Sequence, residues 1–260
     1  MMRSLSIGTD NRGVCTLTLD RPERRNALDE SLITALLDRL EEIEHDPTLR
    51  IVILTGAGKA FSGGADLQWM RTRVAMDEAA NRKSAEHLAE LLHRLSSLSK
   101  PTLARINGSA YGGGAGLICC CDLAIASEQA TFAFSETKLG LVPAVIAPYI
   151  IAAVGIRQAR RYFLTAEPFD SQEALRIGLV HQAVAGERLD EAVEAQVQYL
   201  LRGGPEALAE CKRLLGKTVA VPDTERAEAA ALLARLWTSP EAQEGITAFL
   251  EKRKPYWQQA

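Results

Sequence analysis

The 260-residue sequence carries 30 Lys and Arg against 33 Asp and Glu, a formal net charge of −3, so no basic surplus points to nucleic acid. With 47% hydrophobic and 24% charged residues it has the composition of a globular chain with a sizeable core, either one large domain or one domain with a helical appendage. The N-terminal MMRSLSIGTDNRG holds no continuous apolar run, and nowhere do roughly 18 uncharged apolar residues follow one another. Neither a signal peptide nor a membrane helix is expected, and a cytoplasmic location is.

In chain order, VCTLTLDRP (14–22) alternates apolar and polar residues up to a proline, the pattern of a half-buried strand. Asp29 then predicts the N-cap of a helix that sets Leu32, Ile33, Leu36, Leu37, Leu40 and Ile43 on one face. IVILTG (51–56) reads as a buried strand leading into the glycine-rich GAGKAFSGGADL (56–67). A polar amphipathic helix is expected over about 77–98, then the short strand TLARI (102–106). GSAYGGGAGLICCCD (108–122) follows, then strand-like DLAIA (122–126) and TFAF (131–134). From about 144 onward the pattern is helical: AVIAPYIIAAVG, RQARRYFL, SQEALRIG, then 188–202, 205–218, 223–236 and 239–254. Strands alternating with helices before a helical tail indicate an α/β core with a C-terminal helical subdomain.

The five cysteines (Cys15, Cys119, Cys120, Cys121, Cys211) have no framework or zinc-site spacing and are expected reduced, the adjacent three as core packing. His45, His87, His93 and His181 show no ligand spacing, so no metal is expected. The glycine stretches fail the known phosphate motifs. Gly58-Lys59 is followed by Ala60 and preceded at the fifth position by Ile53, which breaks the P-loop pattern. Counting from Gly112, the third glycine of a dinucleotide fingerprint falls on Leu117, although Glu136 lies near where a ribose-binding acid would sit. No G-x-S-x-G elbow surrounds Ser62 or Ser109. FSGGADL (61–67) and YGGGAGL (111–117) remain, each placing free backbone N–H groups near a helix start. They are either the two halves of a main-chain oxyanion hole or two tight turns with close helix packing.

RPERRNAL (21–28), AFSGGADL (60–67), INGSAYGGGAGL with CD (106–122), ATFAFSETKLGLVPA (130–144) and FLEKRKPYW (249–257) together resemble the enoyl-CoA hydratase/isomerase (crotonase) superfamily, in family order and over nearly the whole chain. The resemblance implies a spiral of ββα units over residues 1–195 and a C-terminal helical trimerisation region over 196–260, in trimers or dimers of trimers. It also implies an acyl-CoA thioester substrate, with coenzyme A part of that substrate and no separate cofactor. It carries the oxyanion-hole donors onto the N–H groups of Ala65 and Gly113. Gly64, Asp66 and Leu67 resemble the segment lying along CoA, with Ala27, Gly112 and Gly116 as further contacting positions. Arg24 resembles the basic position near the CoA phosphates, and Phe249 and Lys252 the pair at the adenine end, often lent by a neighbouring subunit.

Hydratases of this superfamily commonly use two glutamates; here Glu136 stands at the second position and Gly116 at the first. Glu136 is thus the expected base and acid. GGGAGLICCCDLAIA, FAFSETKLGLVPAVIAPYI and RQARRYFLTAEPFD look most like bacterial methylglutaconyl-CoA and carboxygeranoyl-CoA hydratases, which suggests a branched, carboxylated enoyl-CoA. Gly116 would then clear space for the branch and Arg71 or Arg73 would meet the distal carboxylate. Trp69, Met70 and Tyr111 are candidates for the acyl pocket. A single glutamate is also the pattern of Δ3,Δ2-enoyl-CoA isomerases, and a non-catalytic acyl-CoA-binding relative is a third reading.

Overall fold

A computed structural model describes residues 4–219 and 222–258. β1 (Leu5–Thr9) pairs antiparallel with β2 (Val14–Leu19), which runs into α1 (Glu30–His45). Asp29 caps α1 as expected, its Oδ1 accepting from the Leu32 N–H at 3.0 Å. Leu32, Ile33, Leu36, Leu40 and Ile43 are buried, each removal from water stabilising by about 1.5–3 kcal/mol, while Leu37 packs at the edge.

Three ββα turns follow. Each contributes a longer strand to one sheet, a three-residue strand to a second sheet, and then a helical segment. The first turn is β3 (Ile51–Gly56), β4 (Ala60–Ser62), α2 (Leu67–Val74) and α3 (Glu78–Ser97). The second is β5 (Thr102–Ile106), β6 (Ser109–Tyr111) and α4 (Gly113–Cys119). The third is β7 (Leu123–Ser127), β8 (Thr131–Ala133), a 3-10 turn at Glu136–Leu139 and α5 (Ala147–Thr165), whose helical run is broken at Gly155. β9 (Phe169–Asp170), α6 (Ser171–Arg176), β10 (Gln182–Val184), α7 (Leu189–Leu201), α8 (Pro205–Val219), α9 (Asp223–Trp237) and α10 (Pro240–Leu250) complete the chain. The sheets run in the orders β1-β2-β3-β5-β7-β10 and β4-β6-β8-β9. This is the expected α/β spiral with a C-terminal helical region.

All six residues of β3 are buried because both sheet faces are covered. Val52 and Leu54 join the main core beneath α1 and α3, while Ile51 and Ile53 join Val193 and Val197 of α7 on the opposite face. A third cluster gathers Met70 of α2, Trp237 of α9 and Ile246 of α10. Cys119–Cys121 are free thiols packed in or against the main core, and burial pushes the Cys119 thiol up to about 12. No helix among the described residues is long and apolar enough to cross a membrane.

Candidate active site

β4 and β6 are neighbouring parallel strands, with Ala60 opposite Ser109 and Ser62 opposite Ala110. Parallel neighbours send their following turns to the same sheet edge, so FSGGADL and YGGGAGL meet there. At Gly64, where φ is +86°, a Cβ would lie 2.9 Å from the Tyr111 carbonyl oxygen, so only glycine permits this approach. Beyond it, α2 starts at Leu67 and α4 at Gly113. Among the described residues, no protein acceptor takes the Ala65 or the Gly113 N–H. Two unpaired donors at the starts of two helices can hold an oxygen that gains negative charge.

The Ala65 turn is anchored on the segment after Pro22. Leu28 donates its N–H to the Gly64 carbonyl at 2.7 Å and accepts from Asp66 N–H at 2.8 Å. Asp66 is buried and caps α2, its Oδ1 accepting from Gln68 N–H at 2.8 Å and Trp69 N–H at 3.1 Å. Its Oδ2 accepts from Arg21 and from Arg24, each at 3.2 Å. The Asp66 carboxylate is thus committed to protein partners, although the residue lines the cavity. Arg21 and Asn26 were not among the expected site residues. Asn26 donates to the Ala57 and Ala60 carbonyls and accepts from Arg21 N–H, fixing this turn to β4. Their partners lie up to 45 residues away in sequence, and no local pattern announces such pairing.

Glu136 opens the 3-10 turn that follows β8. α10 holds this turn backbone to backbone: a Cβ on Gly245 would sit 2.6 Å from the Leu139 carbonyl carbon. The Glu136 Oε1 lies over Gly112, where a Cβ would come within 3.0 Å of it, and Gly112 has φ +48°. Its Oε2 is cut off from solvent and has no hydrogen-bond partner among the described residues. Burial pushes the carboxyl up from the ordinary 4.5 to about 7, opposed only by the residue's own backbone N–H. A carboxyl poised there can both take and return a proton near neutral pH.

These groups share one cavity of about 850 Å³. Arg24, Ala27, Leu67 and Phe249 line it, with Leu67 53% and Phe249 52% exposed and Ala27 buried. Gly64, Ala65, Tyr111, Gly112, Gly113 and Glu136 line its middle. Trp69 and Met70 line it as expected, Met70 being only 3% exposed. Leu233 and Trp237 of α9, Ile33, Leu88, Val145 and Ile146 also line it, none of them a predicted site residue. Apolar periodicity alone does not separate a core residue from a cavity wall.

Three expectations need correcting within this chain. Gly116 does not line the cavity: a Cβ there would lie 2.4 Å from Ile146 Cγ2, so the space thought free for an acyl branch is filled by Ile146. Arg71 is exposed and off the wall. Arg73 is also off the wall, donating to Ser84 Oγ at 2.6 Å with its guanidinium 5.6 Å from the Trp69 ring centroid. Arg71 turns away because it lies about 100° round α2 from Met70, whereas Arg73 shares the Trp69 side but stands one turn further along, held against Ser84 and the Trp69 ring. Lys252, expected at the adenine end and often lent by a neighbouring subunit, is exposed beyond α10 and off this chain's own cavity wall. Gly116→Ala should cost about 1–3 kcal/mol by overpacking against Ile146. The Gly116→Ala/Ile146→Ala double variant should lose less, by thermal unfolding, than the two single losses added; strict additivity would show that the two do not compete for space.

The family model described as Enoyl-CoA hydratase/isomerase matches residues 9–260. An enoyl-CoA hydratase from Shewanella pealeana is 41% identical, with a TM-score of 0.81, over 98% of this chain and 96% of that one. A second, from Mycobacterium avium, is 34% identical with a TM-score of 0.89 over 99% and 100%. The 2,3-dehydroadipyl-CoA hydratase of Escherichia coli K12 is 32% identical over 256 residues, 98% of each chain. A ββα spiral, two converging glycine turns and similarity along the whole length agree, and the chain belongs to the enoyl-CoA hydratase/isomerase (crotonase) family.

Proposed function

We propose that the chain is an enoyl-CoA hydratase in which Glu136 alone carries the proton chemistry and the Ala65 and Gly113 N–H groups hold the thioester oxygen. The observation that carries this reading is a carboxyl whose Oε2 is shielded from solvent and has no partner among the described residues, in the same cavity as two unpaired N–H donors. Ionised Glu136 takes a proton from water as the water oxygen bonds to the β-carbon. The π electrons move through the α-carbon onto the thioester oxygen, whose charge the two donors stabilise. The neutral carboxyl then returns its proton to the α-carbon, and net H and OH have added across the double bond. Arg24, 44% exposed in its side chain, would meet the CoA phosphates, and Phe249 the adenine, a reading supported by both lining the cavity. α8 leaves Leu214 and Leu215 exposed, a face suited to a second copy in a trimer.

The acyl group is read as uncharged at its buried end. Among the described residues, Arg24 and Arg25 are the cations on the cavity wall, and both belong to the turn at its mouth. A methylglutaconyl-type carboxylate driven inward would be buried against Leu88, Ile146 and Trp237 with no counter-charge, at a cost of several kcal/mol. A second reading, Δ3,Δ2-enoyl-CoA isomerisation, is favoured by the same single carboxylate: Glu136 would remove the C2 proton and return it to C4. Product analysis with an apolar 2-enoyl-CoA, an apolar 3-enoyl-CoA, 2,3-dehydroadipyl-CoA and 3-methylglutaconyl-CoA separates these. Hydration of the apolar 2-enoyl-CoA, at least about tenfold above both carboxylated substrates in kcat/KM, is the expected result. Turnover of the 3-enoyl-CoA alone would replace hydration by isomerisation.

A further inference from the structure

Arg21 is 9% exposed, lies off the cavity wall, and meets three acceptors. Its Nη1 lies 2.6 Å from Asp29 Oδ2 and donates to the Ala27 carbonyl at 3.2 Å; its Nη2 donates to Asp66 Oδ2 at 3.2 Å. Asp29 and Asp66 are the N-caps of α1 and α2, and each uses its Oδ1 for the cap and its Oδ2 for Arg21. One guanidinium therefore joins the starts of two helices.

The consequence falls on Ala65. Its flanking groups, the Gly64 carbonyl and the Asp66 N–H, are both bonded to Leu28. Arg21 grips the residue before Leu28 through the Ala27 carbonyl, and the residue after Ala65 through the Asp66 carboxylate. It thus fixes both rails of the two-residue bridge on which the Ala65 N–H hangs. We infer that Arg21 is a positioning residue for the reaction, setting the direction of the Ala65 N–H through Ala27 and Asp66 without touching substrate. The inference rests on the oxyanion reading of Ala65. A lysine keeps the charge but has no planar fork to span three separated acceptors, so Arg21→Lys should loosen the bridge while leaving a cation between the two carboxylates.

The test compares wild type, Arg21→Lys and Asp66→Ser, the last keeping a capping oxygen on α2 while cutting the same link from its other end. Two readouts are combined: steady-state hydration, and the affinity for a saturated acyl-CoA thioester against its thioether, which lacks the carbonyl oxygen. In wild type the thioester should bind more tightly. In both variants kcat should fall about 100-fold, the loss expected for a displacement near 1 Å. KM should stay within about threefold in Arg21→Lys, and the thioester–thioether gap should narrow in both variants. A variant with wild-type kcat, or one that weakens both ligands equally and keeps the gap, overturns the inference. If Arg21→Lys does not fold, Asp66→Ser decides alone on the same gap. A wild-type protein without any gap would instead overturn the oxyanion reading, and the inference with it.

Discussion

Glu136→Gln is expected to lower kcat by about 10²–10⁴-fold, the usual worth of a positioned acid–base group, with KM little changed. Glutamine keeps the shape and cannot accept or return the proton. In the wild-type protein the ionised form does the first transfer, so kcat/KM should fall as pH drops through about 7. About a tenth of the molecules would carry an ionised Glu136 one unit lower. The stability effect has the opposite direction. The unfolded chain releases this proton near 4.5 and the folded chain near 7, so folded protein loses stability as pH rises between those values and has lost it fully above 7. Glu136→Gln carries no such burden and should be more stable than wild type at pH 8, by about 3 kcal/mol at most, with little difference at pH 4. A variant inactive but no more stable at pH 8 would mean the carboxylate is solvated or paired in solution. A variant that keeps wild-type turnover would remove Glu136 from its role.

Much of this arrangement could be read from the sequence because its signals are local. Asp29 and the Leu32–Ile43 stripe mark α1, and the unbroken IVILTG marks a strand covered on both faces. The two glycine turns were visible as free N–H groups near helix starts, yet their meeting depends on β4 and β6. Those strands are three residues each, too short for any alternation to show, and β1, β9 and β10 escaped for lack of strong patterning as well. Arg71 and Arg73 looked close to the acyl group because they are close in sequence to Ala65. The rotation of α2 carries Arg71 off the wall, and one further turn carries Arg73 past it. Gly116 misled for the opposite reason: an absent side chain suggested space, and Ile146, thirty residues on, supplies the atoms that fill it. Buried cross-links such as Arg21 to Asp66 leave no periodic trace at all.

Backbone donors resist ordinary mutagenesis, but Gly113 offers an exception. It is the first residue of α4, a position where proline is well tolerated because its N–H has no intrahelical acceptor. Gly112 before it has ψ −120°, clear of the helical values that a following proline disfavours. Gly113→Pro should therefore delete one oxyanion donor and leave the helix in place. Any side chain at 113 comes within 3.0 Å of Leu28 Cδ1, the end of a movable side chain, so Gly113→Ala is the matched control: it adds the Cβ and keeps the N–H. Loss of one such donor costs about 10²–10³-fold in kcat, and Gly113→Pro should fall below Gly113→Ala by that factor with a melting temperature close to it. A proline variant that turns over as fast as the alanine variant would show that the thioester oxygen draws nothing from Gly113. The Ala65 turn, braced by Leu28, Asp66 and Arg21, would then have to supply the charge stabilisation alone.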